Sequence, residues 1–205
     1  MTSIDPNLIY ARAIYYRLWH YMVVFVHTQG VFSELKALVA HLKNFPFDVS
    51  SAQAWQEFDT FLARGLQAFE AEQNAVLFAP GEVFVPLSAS YYLEGQDNGK
   101  KRLEAIDILK QSGLQLESHT ITSPVAEDDL AFLTLMMNAF LQQMLEDPAL
   151  FSLHEKLFKN FFHLFGDAFI KAIATHKKSV CYQNCATILG AFIQHERLYF
   201  NLISH

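Results

Sequence analysis

Cys181 and Cys185 stand four residues apart with His176 a short way before them. Thiolates and an imidazole in that order could hold zinc, but a single C-x3-C lacks the second ligand pair that structural zinc sites use. On a helix the two cysteines share a face, where a disulfide would strain the backbone, so they read as structural thiols. His20 and His27, seven apart, and His195 followed by Glu196 make no recognised ligand set. No Glu is followed three residues later by His, which removes the paired Glu-x-x-His of helical di-iron proteins. Phosphate-binding glycine loops, zincin His-Glu-x-x-His and the Gly-x-Ser-x-Gly nucleophile elbow are also missing from the chain. The expectation is therefore no catalytic residue, no metal and no cofactor.

Glu127, Asp128 and Asp129 offer another kind of chemistry. These consecutive carboxylates come directly before the apolar run "LAFLTLMMNAFLQQM". Acids at a helix N-terminus complement its dipole by about 0.3–1 kcal/mol each, which is one explanation. The other is that they receive a basic partner at the mouth of an apolar element.

Helices must position these groups. "IDPNLIYARAIYYRLWHYMVVFV" offers Asp5 as N-cap and Pro6 at the first helical position. A second helix fits "VFSELKALVAHLK". A long third fits residues 50–78, with Ser50 and Gln53 at capping-box spacing. "APGEVFVPLSAS" must be a loop. "KKRLEAIDILKQSG" is amphipathic, with Leu103, Ile106 and Leu109 inward and Gly113 ending it. "LQLESHTITSPVAE" is an aperiodic connector and the candidate lobe boundary, with a hinge near residues 116–128. Beyond it come helices over residues 129–146, 149–176 (interrupted near Gly166) and 179–201. The run from Asp129 is apolar nearly all round, so it should be central and buried. Three of the protein's five methionines lie in it, a deformable surface of the kind adaptable peptide grooves use, or simply core filling.

The chain has 205 residues, 52% of them hydrophobic, with 19 Phe but only 8 Gly and 6 Pro. That composition suits an all-α fold: a helical bundle with an N-terminal lobe, a loop-rich middle and a C-terminal helical lobe. The net charge of −6 argues against a nucleic-acid partner. No apolar stretch reaches the roughly 20 residues that span a bilayer, and no secretory signal stands at the start. A soluble cytoplasmic protein is expected, as a monomer or a dimer that swaps lobes about the connector.

The middle of the chain carries the most specific pattern. "AVLFAPGEVFVPLSASYYLEG", the helix ending in "QSGLQLE", and "EDDLAFLTLMM" together resemble the TorD/DmsD-like family of cytoplasmic redox-enzyme maturation chaperones. Leu77 and Phe78 match that family's Leu-Phe pair and Pro86 its loop proline. Ser90, Tyr91, Tyr92 and Leu93 match its aromatic segment. Gly113 matches its helix-ending glycine, Asp128 its motif aspartate, and Leu133, Leu135 and Met136 its helix core. "RAIYYRLW", "FFHLFGDAFIKAI" and "CATILGAFIQHE" extend the resemblance over nearly the whole chain.

Two positions depart from the pattern. Asp129 stands where the motif has histidine, and its proline is missing. Asp167 stands where a tryptophan often follows, so no role of that His or Trp is carried over. The resemblance implies a chaperone without enzymatic activity that holds the twin-arginine signal peptide of an apo molybdenum-cofactor oxidoreductase until maturation. Such a peptide is basic, then apolar. The site it implies joins Glu127, Asp128 and Asp129, with Glu94 beside Tyr91 and Tyr92 as a second acidic wall. Leu77, Phe78, Pro86, Leu133, Met136 and Met137 complete its apolar part. The alternatives are an adaptor for a folded oxidoreductase subunit and an all-α metal- or nucleotide-dependent hydrolase.

Overall fold

The computed structural model describes residues 5–46, 48–78, 83–117, 119–121 and 124–203. In chain order the helices are α1 (Pro6–Val23), α2 (Gln29–Leu42), α3 (Ala52–Leu62), α4 (Leu66–Gln73) and α5 (Ala89–Glu94). They continue with α6 (Lys100–Ser112), α7 (Leu130–Gln143), α8 (Leu150–Leu157), α9 (His163–Thr175) and α10 (Cys181–Tyr199). Among the described residues there is no strand, only one antiparallel bridge between Ser88 and Asp129. The fold is all-α.

The chain forms two compact units, each made of two separate stretches. Unit 1 holds Met1–Val23 and Leu87–Phe165; unit 2 holds Val24–Pro86 and Gly166–His205. Connector residues 116–128 fall inside unit 1.

In unit 1, α7 packs along α1 on one side and against α8 on another, which is why its apolar residues run round the helix. Leu133, Met136, Met137 and Phe140 are fully covered. Aromatic edges close this core: Trp19 meets Phe162 at 5.1 Å and Tyr16 meets it at 5.7 Å between centroids. The interruption expected near Gly166 lies elsewhere. A wide π-type turn at Phe158–Phe162 separates α8 from α9, while the helix runs straight through Gly166. The π turn places Phe158, Phe161 and Phe162 inward together. On α6 the buried residues are Ala105 and Ile108, whereas Leu103 is 66% exposed, so the covered face is rotated from the expected one. Gly113 does end α6, in the left-handed conformation at φ 67°.

In unit 2, α3 packs on α2 and α10. The expected long third helix is broken. After Leu62 the chain turns through Gly65 at φ 95°, a conformation that L side chains rarely adopt, and restarts as α4. A further π-type turn, Asn74–Phe78, follows α4. Asp48, rather than a Ser50–Gln53 box, caps this region: its Oδ1 accepts the Ser50 N–H at 2.6 Å, while Gln53 donates to Glu57. The helix α1 stops at Val23 because buried Gln73 takes over the next backbone groups. Its Oε1 accepts from the Val26 N–H at 2.9 Å and its Nε2 donates to the Val24 carbonyl at 2.6 Å.

Candidate functional site

The three acids occupy the corner of unit 1 where α5, α6 and α7 begin, and each has its own partner. Asp129 is the N-cap of α7; its Oδ1 accepts the Ala131 N–H at 2.7 Å. Asp128 is completely buried. Its Oδ2 accepts from the Ser88 hydroxyl at 3.1 Å, the Ser90 N–H at 3.0 Å and the Ser90 hydroxyl. Ser88 in turn caps α5 through the Tyr91 N–H. Backbone bonds from Ala89 to Asp128 and from Leu130 to Leu87, both 2.9 Å, close the same joint. One buried carboxylate thus ties the start of α5 to the start of α7. Glu127 faces outward and pairs with Arg102 on α6 at 2.6 Å, and Arg102 also donates to Asn98.

The crowding of acids shows in the Asp129 carboxyl. Burial lifts the Asp129 carboxyl to about 7, and the carboxylates of Asp128 and Asp97 push it the same way against the Ala131 N–H. Asp128 Oδ1 is buried with no hydrogen-bond partner among the described residues.

Glu94 serves α6 instead of a second wall. Its two oxygens accept the Lys100 and Lys101 N–H groups at 2.9 and 2.7 Å, in place of a side-chain cap that Gly99 cannot supply. A side chain at position 99 would run into that carboxylate. Tyr91 is 46% exposed. Tyr92 lies flat on Phe165 at 5.6 Å and meets Tyr91 edge-on, and burial raises its phenol well above the ordinary value. Leu133, Met136 and Met137 belong to the core, with nothing of them at the surface. Leu77, Phe78 and Pro86 lie in unit 2. There Leu77 is buried, and Phe78 packs edge-on against Phe25 at 5.5 Å.

Cys181 and Cys185 are free and buried on α10. Burial, then the neighbouring Cys185, raises the Cys181 thiol well above the usual range, so it stays protonated. His176 is directed elsewhere: its Nε2 meets the Val83 carbonyl at 2.8 Å. Among the described residues no three His, Cys, Asp or Glu side chains are grouped as metal ligands would be.

Several side chains with defined jobs left no local trace in the sequence. Glu72, largely buried, accepts the Val180 and Tyr182 N–H groups at 2.7 and 3.0 Å and so caps α10 from another helix. Burial raises its carboxyl. Asp167, at the departure from the family pattern, forms a two-pronged pair with buried Arg197 at 3.0 and 2.9 Å. His20, buried in unit 1, meets the Ala131 carbonyl through Nδ1 at 2.9 Å and the Thr120 hydroxyl through Nε2. Burial lowers it to about 4, so it is neutral and pins the connector to α1 and α7.

Residues 46–171, well over half of the chain, match the family described as nitrate reductase delta subunit. The chain belongs to that family of redox-enzyme maturation proteins. The fold agrees with membership. A solved structure from Archaeoglobus fulgidus, of a candidate redox enzyme maturation protein, superposes with a TM-score of 0.56 over 90% of this chain and 93% of that one at 17% identity. No curated protein matches the chain. Among the described residues no helix is long and apolar enough to cross a membrane. Within the matched residues the acid corner holds Asp128, whose structural task is the α5–α7 joint.

Proposed function

We propose that this protein is a cytoplasmic chaperone that binds the twin-arginine signal peptide of a molybdenum-containing oxidoreductase and assists its maturation before export. Membership of the nitrate reductase delta family is the observation that carries this reading. The acid corner supports it: an arginine of such a peptide would take the place of the proton that burial and the neighbouring Asp128 and Asp97 hold on the Asp129 carboxyl. Exposed Tyr91 beside that corner offers an aromatic surface for the apolar part of such a peptide. The role needs binding and release alone, without catalysis.

A second reading has its own support. The family is described as a nitrate reductase subunit, and Glu127, Asp128, Asp129 and Glu94 all have internal partners. Both suit an adaptor that grips a folded oxidoreductase subunit. Calorimetry with a twin-arginine leader peptide, beside capture of the same oxidoreductase lacking its leader, separates the two. Binding of the peptide alone supports the first reading. Capture of the leaderless subunit without peptide binding replaces it with the second.

A further inference from the structure

In unit 2 the turn between α9 and α10 is joined to residues 83–86 by one side chain, His176. Its Nδ1 accepts the Lys178 N–H at 3.4 Å, which leaves the Nε2–H to donate to the Val83 carbonyl at 2.8 Å. Backbone bonds steady both segments: Ser179 donates to the His176 carbonyl at 2.9 Å and Val85 to the Val76 carbonyl at 2.8 Å. Buried Glu72 fixes the Val180 N–H. The backbone held in this way keeps three large apolar side chains in solvent. Val83 is 87% exposed, and Phe84 and Val180 each expose more than half of their surface.

The charges beside them are mostly of one sign. Between Asp167 and Glu196 the sequence has no carboxylate but contains Lys171, Lys177 and Lys178, in a chain whose net charge is −6. Glu82, next to Val83 in sequence, is the one adjoining acid that is not buried in a helix cap, and it lies outside the described residues. Lys171 and Lys177 are exposed and have no ion-pair partner among the described residues. None of the three lysines lies in the last turn of α9, where a cation would serve the helix dipole. Apolar tips flanked by lysines fit an anionic surface with an apolar layer beneath it. The near-complete exposure of Val83 means that it projects from its surroundings, whereas a docked amphipathic peptide would need a groove to lie in. A bilayer takes projecting side chains directly: lysines meet the headgroups and the apolar tips enter the acyl boundary below.

We propose that this face of unit 2 docks reversibly on the surface of an anionic phospholipid bilayer. Val83, Phe84 and Val180 enter the interface while Lys171 and Lys177 hold the headgroups. Such docking is separate from leader recognition at the acid corner and does not depend on it.

The test is cosedimentation of the whole protein with vesicles of phosphatidylglycerol and phosphatidylcholine, against vesicles of phosphatidylcholine alone. Binding to the anionic vesicles that weakens as salt rises is expected. Lys171→Glu with Lys177→Glu should weaken it at least about tenfold. Val83→Ser with Phe84→Ser should weaken it at least about fivefold. All four positions are exposed, so the melting temperature should stay within a few degrees of the parent. Phe84→Trp adds a reporter that brominated lipid should quench, while buried Trp19 and Trp55 stay shielded. No binding to anionic vesicles, equal binding to both vesicle types, binding unaltered in both double variants, or an unquenched reporter overturns the proposal. Binding of a synthetic acidic amphipathic peptide in place of the vesicles overturns it in favour of a protein partner. Because the vesicles carry neither leader nor oxidoreductase, failure here leaves the chaperone reading standing, and loss of that reading leaves vesicle binding unaffected.

Discussion

Asp129 and His20 set opposite pH dependences within unit 1. Asp129, held up at about 7, keeps its proton in the folded chain while the unfolded chain releases it near the ordinary carboxylate value, so stability falls as pH rises between about 4 and 7. His20, held down at about 4, resists a proton that the unfolded chain takes up near 6.5, so stability falls as pH drops between about 6.5 and 4. The two slopes offset, and the intact protein should show a nearly flat stability over this window. Asp129→Asn keeps the cap and removes the first slope, gaining on the order of 2 kcal/mol over the parent by pH 8. His20→Asn keeps a donor for Ala131 and removes the second, gaining on the order of 2–3 kcal/mol at pH 4. Urea unfolding of the three proteins from pH 4 to 8 checks both; parallel curves would refute the assignment. Asp128 behaves differently, because its carboxylate holds two helices. Asp128→Ala strands the Ser90 N–H and should cost about 2–3 kcal/mol, read as a lower urea midpoint.

Elements in this chain end where a distant side chain takes over their backbone groups. Gln73 stops α1, Glu72 starts α10 and Glu94 starts α6. Glu72→Ala should therefore cost about 1–2 kcal/mol, and Glu72→Gln, which keeps an acceptor, should recover over half of that in thermal melts. The α9–α10 packing makes a second demand. A Cβ at Gly166 would collide with the Ile193 Cδ1 atom. Gly166→Ala should destabilise by about 1–3 kcal/mol, and adding Ile193→Val, which removes that methyl, should restore most of the loss. Additive costs in the double variant would contradict close packing here.

At the scale of the whole molecule, the acid corner separates a structural role from a recognition role. Changing Glu127 and Asp97, which are not committed to helix caps, to Gln and Asn should leave the melting temperature within a few degrees of the parent. If the corner receives a basic leader, the same double change should weaken a twin-arginine peptide at least about tenfold and flatten its salt dependence, since exposed charge is screened over about 8–10 Å. Unaltered affinity in calorimetry would direct attention to the leaderless subunit.

The helical class, Asp5 and Gly113 at their helix boundaries, and the central burial of α7 were legible in the sequence. They follow from local capping chemistry and from apolar residues on every face of one helix, and both are properties of contiguous residues. Membership of the family was legible too. Other features depended on residues brought together from far along the chain. Asp128 meets Ser90 across 38 positions and Glu72 meets the N–H of Tyr182 across 110. The break at Gly65 had a local signal, since glycine is a poor helix former and readily takes a positive φ, whereas the π turn at Phe158–Phe162 has none in helix propensity. Tertiary structure also decided that Leu133, Met136 and Met137 fill the core, and that Glu94 caps a helix. A side chain's type says what it can bond, but which groups compete for that bond is settled only when the chain is folded.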